Sequence, residues 1–246
     1  MVVDLYTQIK ILFLPLVVLI LMCNVNCNST ESNKYNYYNL IVKSSQNYST
    51  NPLLVLSVIR VEQLNNSWND RIQDRFLQHT IEKRNNNLWW EQWVSEYDSM
   101  SSRELMLRSK YNKWSVNLYQ SGYVSSYGIG QITPRTLVSA CKYYKYLPRL
   151  CSCSKRELFQ KLLSKEESID LIAFILMYER DRWIKCNKVP SKTINDAFLL
   201  TLYNYGTDLY LLKYDTLISM SRFSNIFLSK QKTFESELKK GEIFLQ

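Results

Sequence analysis

Apolar residues recur along most of the chain at the three- and four-residue spacing of an α-helix. The segment that opens with Asn51-Pro52 is apolar on most of its circumference, because leucine, valine and isoleucine fill nearly every position from Leu53 to Val61. This pattern is typical of a helix buried on all sides, and asparagine at the cap with proline in the first turn favours a start at this point. Strongly apolar helices are also predicted over 169–183 and 194–203.

Composition supports a helical fold for the 246 residues. The chain has only five glycines and five prolines, too few for the many tight turns of a β-sandwich or barrel. Hydrophobic residues make up 46% of the chain, so one substantial core can form. We therefore predict a mainly α fold with one principal domain over residues 51–246.

The first 50 residues are predicted to lie outside that domain. Lys10 precedes a run of 12 apolar residues over 11–22, which is short for a membrane-spanning helix and normal for a signal peptide. Cys23 and Cys27 at the end of the run raise the alternative of an uncleaved or lipid-linked anchor. We expect residues 1–27 to be a signal peptide or a membrane or lipid anchor, and the protein to be exported to the periplasm or cell envelope. Residues 28–50 are polar and predict a tether with a short helix near Tyr38.

A charged and aromatic stretch over 68–118 predicts two or three further helices. Four aromatic residues recur there at helical spacing, namely Trp89, Trp90, Trp93 and Tyr97. They could stack on sugar rings, but an aromatic stripe at this spacing is more often part of a core. A polar loop follows over 120–126, and a helix is expected to begin near Pro134. Beyond it, residues 141–153 are predicted to form a turn region, and Ser154-Lys-Arg-Glu157 is typical of a capping box that starts the next helix.

The net charge of +9 favours anionic partners by long-range attraction. No basic block stands out, since the charges are spread along the predicted helices, so we do not expect nucleic acid as the partner. An exported protein meets wall peptides, wall polymers and membrane lipid, and a solvated basic surface is an equally good explanation.

Four cysteines lie beyond the amino-terminal segment: Cys141, Cys151, Cys153 and Cys186. Outside the cytosol they can pair in three ways. A lone Cys-x-Cys is a weak metal signal, and His79 is the only histidine. We therefore favour one or two disulfides, or plain buried thiols, and expect no metal site.

Glu62 is the first candidate for chemistry, because it stands at the end of the apolar helix that begins at Pro52. A carboxyl group against apolar surroundings loses solvation, so its pKa rises and it stays protonated near neutral pH. A protonated carboxyl can donate to the leaving oxygen of a glycosidic bond. The structural alternative is a helix-terminal glutamate that reaches water or pairs with Arg60 or Arg71.

Two further segments carry candidate binding groups. In Gly128-Ile-Gly-Gln-Ile-Thr-Pro, the glycines permit unusual dihedrals and close backbone approach beside a ligand. Gln131 offers an amide that can hold a carboxyl or a sugar N-acetyl group. The second segment is Tyr203-Asn-Tyr-Gly at the end of an apolar helix. An ordinary loop-to-helix junction is the alternative for the glycine segment.

In this order, Glu62, the glycine segment and Tyr203-Asn-Tyr-Gly resemble the soluble lytic transglycosylase family, relatives of goose-type lysozyme. The resemblance covers about residues 51–210 and implies a lysozyme-like helical domain with a helical insertion over about 64–120. It implies Glu62 as the catalytic residue and no cofactor or metal. The substrate-binding residues that it implies are Ser126, Gly128, Gln131, Tyr203 and Asn204.

The sequence departs from the family pattern at several positions. Gln63 stands where serine is usual, Ile129-Gly130 replaces Leu-Met, and the 66 positions from Glu62 to Gly128 are far more than the family habit. The insertion could shape the cleft or recruit an envelope protein. It also makes Glu82 and Glu91 alternative acids, but the apolar helix before it favours Glu62.

By resemblance the substrate is the peptidoglycan glycan strand. Glu62 would protonate the oxygen that leaves N-acetylmuramic acid and then accept the proton of that sugar's 6-hydroxyl, which closes a 1,6-anhydro ring. A lysozyme-type muramidase would need a second acid, for which the candidates are Asp70, Asp74 and Asp98. A third alternative is a cleft that binds glycan without cutting it.

Overall fold

The structure is a computed structural model that describes residues 35–65, 68–100, 123, 126–144, 148–187, 194–205 and 222–245. Within these ranges the chain forms helices and no strand, which confirms the predicted mainly α fold class. In chain order the helices are α1 Tyr38–Asn47, α2 Pro52–Asn65, α3 Trp68–Lys83, α4 Asn87–Asp98, α5 Pro134–Tyr143, α6 Pro148–Cys151, α7 Lys155–Leu163, α8 Lys165–Asn187, α9 Asp196–Tyr205 and α10 Arg222–Lys240. The predicted signal or anchor over 1–27 lies outside the described residues.

Helices α2 and α8 form the centre of the fold. Every residue of α2 from Leu53 to Ile59 is buried, together with Val61, as its all-round apolar pattern predicts. This helix contacts α1, α8, α9 and α10. Helix α8 has 23 residues and contacts α1, α5, α7 and α9 as well. The carboxyl-terminal end of α2, where Glu62 lies, is therefore held by helices on several sides.

Residues 36–50 belong to this folded unit, contrary to the predicted polar tether. Helix α1 is longer than the short helix expected there, and it packs against α8 and α2. Ile41, Ser44 and Ser45 are all buried. Two serines on the inner face make the segment look polar in sequence, although small hydroxyl side chains fit easily between packed helices. The compact unit begins at Asn36.

The insertion contributes α3 and α4, and both pack against α7. Trp90 is 1% exposed, and its ring meets Phe159 of α7 at a centroid distance of 5.6 Å. Trp93 is also buried and contacts Phe159 and Tyr123 edge-on. These aromatic residues are core, so the alternative of a sugar-stacking surface is wrong for Trp90 and Trp93.

The predicted helix starts agree with the structure. Helix α2 begins at Pro52, and the Asn51 side chain accepts a hydrogen bond from the backbone N–H of Leu53 (3.0 Å). Helix α5 begins at Pro134, and Ser154 with Glu157 forms the capping box that starts α7. The predicted turn region over 141–153 is wrong in part, because α5 continues to Tyr143 and α6 lies within it.

Among the helices described, none is long and apolar enough to cross a membrane.

Candidate functional site

Glu62 lines a cavity of about 340 Å³ near the carboxyl-terminal end of α2. The cavity brings together side chains that are far apart in sequence, from α2, α3, α9 and the segment before α5. The lining residues are Glu62, Asn65, Asp70, Ser126, Gln131, Thr133, Tyr203 and Asn204. A neighbouring space of about 110 Å³ shares Gln131, Thr133, Tyr203 and Asn204 and extends toward Thr136 and Ile175.

Glu62 is half-buried, and the surroundings of its carboxyl group favour the protonated form. Burial raises its pKa from 4.5 to about 8, and the nearby Asp70 carboxylate adds to the rise by like-charge repulsion. Arg60, one of the two arginines considered as alternative partners of Glu62, instead donates to Glu237 and Gln63. Glu62 therefore carries a proton at neutral pH and faces an open cavity.

The turn over 127–132 forms one wall of the cavity. Tyr127 and Ile132, the first and last residues of the turn, form two backbone hydrogen bonds with each other. The N–H of each residue donates to the carbonyl oxygen of the other. Inside it, the Gln131 amide donates to the Gly128 carbonyl oxygen (2.9 Å) and accepts from the Ser126 hydroxyl (2.9 Å). Gln131 is held in the left-handed region with φ 48°, where residues other than glycine are uncommon. Its side chain is thus fixed by the turn before any ligand arrives.

Both glycines of the turn are required by close packing. Gly128 has φ +69°, and a Cβ there would lie 1.8 Å from the Leu162 carbonyl oxygen at the end of α7. A Cβ on Gly130 would lie 2.6 Å from Ile172 of α8. The sequence predicted close approach to a ligand, whereas the structure shows close approach to two helices. The two glycines therefore allow the backbone of the turn to pack directly against α7 and α8.

Tyr203 joins the turn to α9. Its hydroxyl donates to the Gly130 carbonyl oxygen (2.6 Å). Burial and the neighbouring Glu62 carboxyl raise the pKa of Tyr203 well above 10, so the hydroxyl remains a neutral donor. Asn204 is exposed and lines both spaces. Gly206, the last residue of the Tyr-Asn-x-Gly pattern, lies outside the described residues.

The three candidate second acids have different surroundings. Asp70 lines the cavity with Glu62. Asp74, one turn further along α3, accepts a hydrogen bond from the backbone N–H of Gly128 (2.9 Å). Asp98 pairs with Lys142 and accepts from the Tyr123 hydroxyl, and it does not line the cavity. The insertion thus supplies one acid to the cavity and a second to the turn.

The two alternative general acids do not reach the cavity. Glu82 is exposed on α3, where its carboxylate accepts from the Gln78 amide, and Glu91 is exposed on α4. Neither residue is among those that line the space around Glu62.

Sequence reasoning missed Asn65, Thr133 and the role of Asp74. Asn65 lies three residues after Glu62, so helical spacing alone puts it on the same face. Thr133 caps α5 by accepting from the backbone N–H of Thr136 (3.0 Å), and it lines the cavity as well. No local signal connects Asp74 with Gly128, since 54 positions separate them.

A second protonated carboxyl lies away from the cavity, in α8. Glu179 is 1% exposed, and burial raises its pKa to about 8, partly offset by Arg182. Within the described part of the chain, neither of its oxygens has a hydrogen-bond partner. Glu179 and Glu62 therefore have similar pKa values, but only Glu62 lines the cavity.

Among the described residues, no group of three or more histidine, cysteine, aspartate or glutamate side chains is placed to hold a metal ion. The chain matches no protein-family model, no curated protein and no solved structure. A function must therefore be inferred from the residues of the cavity.

Proposed function

We propose that the chain is a peptidoglycan lytic transglycosylase, which cleaves the glycan strand between N-acetylmuramic acid and N-acetylglucosamine and leaves a 1,6-anhydro end. The observation that carries the proposal is the protonated Glu62 carboxyl in a cavity shared with Gln131 and Tyr203. The order of these three segments along the chain, and their resemblance to the transglycosylase family, support the same activity.

In the proposed reaction one carboxyl group performs two proton transfers. Glu62 is protonated at neutral pH because its pKa is about 8, so it can donate to the glycosidic oxygen as the bond to C1 of the muramic sugar breaks. The resulting carboxylate then accepts the proton of that sugar's 6-hydroxyl while O6 bonds to C1. Glu62 ends in its starting form, and no water is consumed.

The remaining polar groups of the cavity bind and orient the sugar. The Gln131 amide keeps one N–H and one oxygen lone pair beyond its two bonds within the turn, and Asn204 offers a second amide. These groups suit the N-acetyl substituents of the glycan strand. Tyr203 acts as a positioning residue, since its hydroxyl holds the turn through the Gly130 carbonyl.

A muramidase is the second candidate, and the position of Asp70 favours it. A hydrolase needs a carboxylate to activate water on the face of the sugar opposite the general acid. Asp70 lines the same cavity as Glu62, so a carboxylate is present on a different helix. We prefer the transglycosylase because the motifs resemble that family, and the two reactions give different products.

The decisive experiment is digestion of purified cell-wall sacculi followed by mass spectrometry of the released fragments. A transglycosylase gives anhydro ends, which are lighter by one water than the ends left by a hydrolase. Glu62→Gln is expected to lower the rate by about 10²- to 10⁴-fold while it retains binding to sacculi. Glu179→Gln is the matched control, since it removes a carboxyl of similar pKa outside the cavity and should leave the rate unchanged.

Other outcomes would contradict the proposal. Hydrolysed ends, with activity lost in Asp70→Asn, would establish the muramidase. Sacculus binding without any cleavage by the parent protein would establish the glycan-binding alternative. Since the substrate lies in the cell wall, the proposal also requires export, for which the apolar run over 11–22 is the supporting feature.

A further inference from the structure

Three of the four cysteines beyond the amino-terminal segment are brought together by α5 and α6. Cys141 lies near the end of α5 and is 8% exposed. Cys151 is the last residue of α6, which contacts α5, and Cys153 follows two positions later. Cys186 is exposed near the end of α8. All four are free thiols in this structure.

Within this cluster Cys141 and Cys151 lie on two helices that contact each other, and each thiol shifts the pKa of the other. The third thiol is engaged differently, because Cys153 Sγ donates to the Leu150 carbonyl oxygen (3.0 Å). Two thiols on contacting helices that already interact with each other need little movement to form an S–S bond. We propose that Cys141 and Cys151 form a disulfide in an oxidising compartment, whereas Cys153 and Cys186 stay reduced.

The surroundings of the two sulfurs also assign the order of the reaction. Cys151 is the more accessible of the pair, and its interaction with Cys141, together with the charge of Lys155, lowers its pKa against the opposing effect of burial. Its thiolate therefore attacks a small disulfide such as oxidised glutathione, which forms a mixed disulfide and releases one glutathione thiolate. The interaction with Cys151, followed by burial, raises the pKa of Cys141, so this thiol reacts second.

In the second step the Cys141 thiol loses its proton and attacks Cys151 Sγ. The Cys141–Cys151 bond forms, the mixed disulfide breaks, and a second glutathione thiolate leaves. Two electrons pass to the oxidant, and the two thiol protons pass to the departing thiolates or to solvent. The new bond connects the end of α5 to α6 and closes a short loop, which constrains the unfolded chain.

The pairing is tested on the full chain, held in a glutathione buffer of oxidising composition and then blocked with N-ethylmaleimide. Trypsin without reduction should release Thr136–Lys142 linked to Leu150–Lys155. Fragmentation of the second peptide at Ser152 then distinguishes a bond to Cys151 from one to Cys153. A bond to Cys153 or Cys186, or complete alkylation of Cys141 and Cys151, would overturn the proposal.

Thermal unfolding provides a second measurement. Addition of a reductant to the oxidised wild-type chain should lower the melting temperature by roughly 5–10 °C. Cys186→Ser should show the same fall, and Cys151→Ser should show none. If Cys151→Ser does not fold, the peptide map of the wild-type chain decides alone. The pairing depends on export and not on glycan cleavage, so the peptide map and the sacculus assay can fail separately.

Discussion

Replacement of Glu179 by glutamine tests whether burial alone keeps a carboxyl protonated in this fold. The residue is 1% exposed, and within the described structure its oxygens have no hydrogen-bond partner. Its pKa rises from 4.5 to about 8 because burial disfavours the charged form. The amide of glutamine has nearly the same shape but does not ionise, so the substitution removes the titration and little else.

The expected change in the free energy of unfolding follows from the difference in proton binding between the folded and the unfolded chain. Below pH 4.5 both the folded and the unfolded chain hold the proton, so the stabilising contribution of neutral Glu179 is fully present. Between pH 4.5 and about 8 only the unfolded chain releases the proton, and the free energy of unfolding falls as pH rises. At about 1.4 kcal/mol for each pH unit, the loss is about 3 kcal/mol at pH 7 and about 5 kcal/mol above pH 8.

Urea unfolding at pH 5, 7 and 8.5 measures this loss. The wild type and Glu179→Gln should have similar stability near pH 5, and the variant should be more stable by the stated amounts at higher pH. Glu82→Gln is the matched control, because it makes the same replacement on the exposed side of α3. The reasoning is refuted if the stability of the wild type and of Glu179→Gln depends on pH in the same way.

Three further predictions concern the cavity and its turn. The cleavage rate should fall about tenfold for each pH unit above pH 8, because Glu62 must be protonated to act as the acid. Asp70→Asn should move this fall to lower pH, and an unchanged pH profile would show that the Asp70 charge does not raise the pKa of Glu62. Gly128→Ala should destabilise the protein by about 3 kcal/mol or more in thermal unfolding. The residue has φ +69°, and the new Cβ would lie 1.8 Å from the Leu162 carbonyl oxygen; wild-type stability in this variant would exclude the close packing of the turn against α7. Tyr203→Phe should lower the free energy of unfolding by about 1–2 kcal/mol and lower the cleavage rate with the helix content unchanged, because the hydrogen bond to the Gly130 carbonyl oxygen is lost. Full activity in this variant would show that Tyr203 is not a positioning residue.

Local sequence pattern was enough to predict most of the helices and the buried helix that carries the proposed acid. The buried helix before Glu62 was evident from apolar residues on all its faces, and its start was evident from Asn51-Pro52. The capping box at Ser154 was also correctly identified. These features depend on neighbours within a few positions, so they can be inferred without knowledge of the partner helices.

Where the pattern was ambiguous, tertiary packing decided the outcome. Helix α1 was expected to be part of a tether, since its inner face carries Ser44 and Ser45 beside Ile41. Glu179 lies between an uncharged run over 171–178 and the charged residues 180–182, and sequence alone did not indicate that its carboxyl would be buried without a hydrogen-bond partner among the described residues. In both cases burial results from contact with helices that are distant in sequence.

By itself the sequence determined that the chain is helical, that α2 is buried, and that Glu62 lies near the carboxyl-terminal end of α2. Only the tertiary structure decided that Asp70 shares the cavity, that Asp74 holds the Gly128 N–H, and that Asp98 lies elsewhere. The physical reason is the distance along the chain over which each effect acts. Helix formation and desolvation along one helix follow from residues a few positions apart, whereas the composition of a cavity depends on how separate helices pack.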